Sequence, residues 1–145
     1  MKLPEYVTAA EVRRVCKELG FRDWSKITKP TVSKTEASKI LKIVNTKKMR
    51  IPLEDFMEGL AVELEHGTMY KEANVTNNHP ILTGKIVLAH LNETMDYYKR
   101  LDVAEIEGDL MKAVITKNLG KIEAKYKKLI KAQQALSKAI SAQLK

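Results

Sequence analysis

The sequence is short of the residues that usually announce a specialised chemistry. Its 145 residues include one cysteine, one tryptophan, two phenylalanines, four prolines and six glycines. A single cysteine, Cys16, excludes an intramolecular disulfide and any cysteine-rich zinc site. Because Cys16 falls in a helical pattern, it reads as a small core residue rather than a nucleophile. No stretch approaches the ~18 apolar residues of a membrane span. The opening "MKLPEYVTAAEV" has no apolar h-region, so no secretory signal is expected. There is no glycine-rich phosphate loop, no Ser/His/Asp order and no Cys/His pair, so no catalytic residue is assigned and a non-enzymatic role is favoured.

What is present favours helix: Lys, Glu, Ala, Leu and Ile dominate, 44% of residues are hydrophobic and 30% charged. The net charge of +8 is unevenly distributed. Residues 25–50 carry eight basic side chains against Glu36, residues 51–109 carry twelve acidic against four basic, and residues 110–145 carry nine lysines against Glu123. An acidic middle between basic ends suits head-to-tail contact between copies, or a polyanionic partner.

Thr8-Ala-Ala-Glu11 and Ser33-Lys-Thr-Glu36 both match the capping box that opens a helix. The first helix carries Val12, Val15, Cys16 and Leu19 on one face and stops at Gly20. Phe21 and Trp24 are expected to pack back onto the core. The second helix carries Ala37, Ile40, Leu41 and Val44. A third starts at Pro52, with Leu53, Phe56, Met57, Leu60 and Leu64 as its stripe, and is expected to end at Gly67. After a polar loop, Pro80 opens a fourth helix to about Glu93. Its apolar stripe is read as Leu82, Ile86, Ala89, His90, Glu93 and Tyr97, and Val87 and Leu91 make the next face apolar too, so much of its circumference is expected to be buried. A fifth follows a break near Thr94–Asp96. No hairpin signal suggests a strand. The expected fold is all-α: a compact bundle of about five short helices (1–108), then one long basic amphipathic C-terminal helix (109–145).

That last segment repeats apolar residues by fours and threes: Ile115, Leu119, Ile122, Tyr126, Leu129, Leu136 and Ile140, with Gln133 and Gln143 in the same seam. A rod of ~30 residues spans roughly 45 Å and is expected to hide the seam against another helix, most simply in a second copy. Lysines 117, 121, 125, 127, 128, 131 and 138 cover its other faces. Without arginine they suit phosphate backbones or acidic protein surfaces better than base edges. A narrow stripe lacking Trp and Phe argues against a membrane surface.

Two segments carry a histidine three residues from a glutamate: "VELEHG" (Glu63, His66) and "VLAHLNE" (His90, Glu93). Spacing of three puts each pair on one helical face. With the helices antiparallel, His66 would meet His90 and Glu63 would meet Glu93. Four such groups converging could hold zinc or iron; failing that, they form a hydrogen-bonded staple between helices. His79, before Pro80, is read as a solvated loop residue or a third nitrogen ligand.

The motifs Val62-Glu-Leu-Glu-His-Gly67, Asn74-Val-Thr76, Leu82-Thr-Gly-Lys85, Ala89-His-Leu-Asn-Glu93 and Tyr97-Tyr98, within residues 59–101, resemble an uncharacterised family of small bacterial and phage proteins, a domain of unknown function. The resemblance implies that Glu63, Glu65, His66, His90 and Glu93 are part of the family's signature; it brings no activity. Taken together, these readings favour a self-associating structural or scaffolding protein, in the cytoplasm or in a virus particle. A metal-binding domain and a nucleic-acid accessory protein are the alternatives.

Overall fold

The computed structural model describes residues 6–144. Among them every regular element is helical: α1 (Ala9–Leu19), α2 (Lys34–Val44), α3 (Leu53–Met69), α4 (Pro80–Glu93), α5 (Tyr97–Ile115) and α6 (Leu119–Gln143), with short 3-10 turns at Trp24–Lys26 and Lys71–Ala73. No described helix is long and apolar enough to cross a membrane. The chain divides into two compact units, residues 1–93 and 94–145. The expected division at 108 falls inside α5 instead, where Gly108 lies on a helix side open to solvent.

In the first unit α2, α3 and α4 pack on one another, and α1 packs on the Trp24 turn and α4. Val12, Cys16, Trp24, Ile40, Phe56, Leu60, Leu64, Val87 and Leu91 form the core. The start of α1 departs from its expected box. The Thr8 hydroxyl accepts from the Glu11 N–H at 3.2 Å, but the Glu11 carboxylate turns to Arg14, at 2.8 Å from two guanidinium nitrogens. At α2 the full reciprocal box forms. Its Glu36 is buried and also accepts the Trp24 indole N–H at 2.9 Å. Burial opposes ionisation of Glu36, yet the hydrogen bonds from Trp24 and Ser33, with the charge of Arg22, outweigh it and hold the carboxyl below its ordinary value.

The helices differ from expectation in three ways. First, α3 runs past Gly67 to Met69. Gly67 is required there as a flat spot: a Cβ would overlap the buried Asn78 side chain. Second, the buried face of α4 is Pro80, Thr83, Gly84, Val87 and Leu91, while Ile86 and Ala89 of the expected stripe are exposed. Close approach decides this. A Cβ on Gly84 would strike Ile40 of α2, so α4 approaches α2 most closely along its Gly84 side, and Val87 and Leu91 are buried on that same face. Third, the basic segment is not one rod continuing from residue 110. A turn at 116–118, with Lys117 at φ 50°, separates α5 from α6. The Thr116 and Lys117 N–H groups donate to Lys112 and Val114 carbonyls, and the Asn118 side chain caps α6 by accepting from the Lys121 N–H.

In the second unit α5 and α6 pair as a helical hairpin. Lys125 Nζ reaches Asp109 at 2.5 Å, and residues 16 apart meeting across a three-residue turn makes the pair antiparallel. The 25 residues of α6 span roughly 37 Å. At the start of α5, Asp96 is buried and accepts two bonds of 2.9 Å from Arg100, and one from the Thr94 hydroxyl. These partners, Arg100 first, hold its carboxyl below the usual range.

Candidate functional site

The four Glu and His residues singled out from the sequence do meet, in a different order. Leu64 and Leu60 pull one side of α3 into the core, which leaves the neighbouring Glu63 only 11% exposed and His66 61% exposed. On α4 the core residues Val87 and Leu91 bring His90 to the flank of the same interface. Glu63 then lies between two imidazoles: His90 Nε2 at 3.5 Å and His66 Nδ1 at 3.8 Å. Glu93 stands beyond His90, at 3.9 Å from Nδ1. The expected facing of His66 with His90 and Glu63 with Glu93 is therefore corrected to a row: His66, Glu63, His90, Glu93. A row alternates donor and acceptor chemistry along the helix interface; a metal centre needs its ligands around a point. Among the described residues no group of three or more His, Cys, Asp or Glu side chains is placed to hold a metal ion.

Glu63 and His66 border a cavity of about 210 Å³ that is also lined by Asn74, Thr76, Asn78 and Thr83. The loop wall is held by side chains of its own. Asn74 accepts from the Asn78 N–H at 3.1 Å, and Asn78 reaches the Trp24 carbonyl at 3.5 Å. Asn77 and Asn78 have φ of 48° and 58°, a left-handed conformation that asparagine tolerates better than most residues.

His79 is not the solvated loop residue expected. It is buried, and its Nδ1 accepts from the N–H groups of Ile81 and Leu82 at 3.2 and 3.4 Å. Pro80 occupies the first turn of α4, so the free N–H groups there need an acceptor, and the imidazole supplies it. Burial pushes its pKa down, which suits the neutral ring this cap requires.

In the second unit, Leu129 is buried by the hairpin while Ile122 and Leu136 are half-buried. Ile115, Leu119, Tyr126 and Ile140 stay exposed, Ile140 least of the four. The inward face of α6 uses Ala132 and the half-buried Lys125 and Ala139 where the expected seam had Gln133, Tyr126 and Ile140. Of the predicted polyanion-binding lysines, Lys121, Lys125 and Lys128 line one groove of about 480 Å³, joined by Lys112 and Asp109 of α5. Lys117, Lys127, Lys131 and Lys138 are exposed elsewhere on the segment. Sequence reasoning missed Asp109 and Lys112 as partners of these lysines. The only available signal was their spacing of three, because their role depends on the turn at 116–118.

Fold and site define a class: a small all-helical protein in which a carboxylate–imidazole row joins two helices of a compact unit, followed by a basic helical hairpin. Within that class the chain belongs to a protein family of unknown function, DUF5661, whose model matches residues 12–107. The match begins in α1 and ends within α5, well beyond the 59–101 that carried the resemblance. No curated protein and no solved structure matches the chain.

Proposed function

We propose that this protein is a non-enzymatic structural component that assembles through its C-terminal hairpin, with a second copy of the chain as the docking partner. One observation carries the reading: α6 already has a helix against it, yet Leu119, Tyr126, Ile130 and Ile140 remain outside that contact, with exposures of 80, 57, 42 and 36%. Helical geometry, at about 100° per residue, puts these four on one flank of the inward face. Because α5 and α6 are antiparallel, the residue that follows an inward one falls on the same side of the hairpin in both helices. Val114 follows Ala113 and Ile130 follows Leu129, so Val114 joins this apolar side. A further helix laid there would bury a continuous stripe, each large side chain contributing about 1.5–3 kcal/mol when fully covered.

The alternation of acidic and basic segments supports contact between copies, the 51–109 region of one chain facing the lysines of another. The resemblance to bacterial and phage proteins supports a virus particle as one assembly in which such a component would serve. Sedimentation of the full chain tests the reading. An assembly that reverts to monomer in Tyr126→Glu/Ile130→Glu, with helix content unchanged, supports it. A wild-type monomer at high concentration overturns it.

A further inference from the structure

The opposite side of the same hairpin has the contrary chemistry. The residue that precedes an inward one falls there in both helices: Lys112 before Ala113, Lys121 before Ile122, Lys128 before Leu129. Lys125, half-buried, reaches across between them to Asp109. The result is the groove of about 480 Å³ between α5 and α6, lined by Ala113, Thr116 and Ala124 together with four lysines and one carboxylate.

We infer that this groove binds consecutive phosphate groups, from the backbone of a nucleic acid or from a free oligophosphate. This does not depend on the apolar side or on self-association.

Three features carry it. The charge in the groove is unbalanced. Asp109 serves two of the lysines, Lys125 at 2.5 Å and Lys112 at 3.4 Å, while among the described residues Lys121 and Lys128 have no carboxylate within ion-pair distance. The lysines are arranged rather than scattered. Asp109 pairs with one lysine of each helix, Lys112 and Lys125, and its own carboxyl is held low chiefly by the bond from Lys125. The remaining pair sits at i and i+7 on α6, which sets Lys121 and Lys128 about 10 Å apart along the helix axis. That separation spans more than one phosphate and leaves both ammonium groups free to follow a chain of them. Finally, the rest of the lining is Ala113, Thr116 and Ala124, with no aromatic side chain on which a base could stack. The groove therefore offers point charges to phosphates and nothing to read a base.

The test uses the full chain. Binding of a fluorescein-labelled oligothymidylate and of tripolyphosphate is measured at low salt, with tripolyphosphate also added as a competitor. The comparison is between Lys121→Gln/Lys125→Gln/Lys128→Gln in the groove and Lys127→Gln/Lys131→Gln/Lys138→Gln outside it. Both triples remove the same charge from the same helix. Loss of the two free ammonium groups, Lys121 and Lys128, and of the Lys125 charge beside them should weaken binding by about tenfold or more and flatten its salt dependence; the other triple should change it about twofold. Binding of the oligonucleotide displaced by tripolyphosphate supports the shared chemistry. Oligonucleotide binding without displacement supports the nucleic-acid source, and tripolyphosphate binding alone supports the free anion. Equal losses in the two triples, or no binding of either probe, would overturn the inference.

Discussion

Glu63 of α3 lies 3.5 Å from His90 of α4, and the same carboxylate is 3.8 Å from His66 one turn along its own helix. One nearly buried acid thus serves a contact between helices and a contact within one. These separations are longer than strong hydrogen bonds, so the row acts as a lateral tie beside the Leu60, Leu64, Val87 and Leu91 core.

A tie of this kind predicts a modest cost on removal. Glu63→Gln should lower unfolding stability by about 1 kcal/mol in urea, and neither chelator nor added zinc should move the wild-type melting temperature. A zinc-dependent rise in melting temperature that disappears in Glu63→Gln would replace the tie with a metal centre.

The His79 cap predicts a pH dependence with a definite sign. Burial depresses its folded-state pKa below the ordinary 6.5, so above that pH the ring is neutral in both states and the cap is intact. Below it the unfolded chain takes up a proton that the folded state resists, and stability falls with pH. His79→Asn keeps a capping acceptor without titrating. Its melting temperature should fall less than that of the wild type between pH 7 and pH 5; parallel curves would remove His79 as the cause.

Two glycines predict opposite signs. At Gly67 an alanine methyl would overlap the buried Asn78 side chain, which cannot move without breaking the loop wall. Gly67→Ala should therefore destabilise by about 1–3 kcal/mol. At Gly108, within α5, no atom lies within 4 Å of a new Cβ. Gly108→Ala should stabilise by about 0.5–1 kcal/mol, since it reduces the freedom of the unfolded chain and improves helix propensity. Denaturant midpoints of the two variants check both signs.

The helical class, the Ser33 box, the Gly20 stop, the α4 start at Pro80 and most of the α1–α3 core were legible in the chain, because they rest on interactions within a turn or two and on period-3.6 burial. The gathering of Glu63, His66, His90 and Glu93 was legible as well, since spacing of three and two neighbouring helices suffice for it. Their order was not. It depends on how far α4 rotates against α2, and Gly84 sets that rotation by letting Ile40 approach. His79 was misread for a related reason: a histidine before proline is polar in sequence, and only the packed loop turns it into a buried cap. The C-terminal segment shows the same limit. Its heptads determined that α6 would be amphipathic with lysines around it. Which residues face inward was decided by the turn at 116–118, which makes α5 the neighbour and divides the hairpin into an apolar side and a basic groove. Local energetics are written along the chain, whereas the choice of partner for each face is a contest among all faces at once, and only the tertiary structure resolves it.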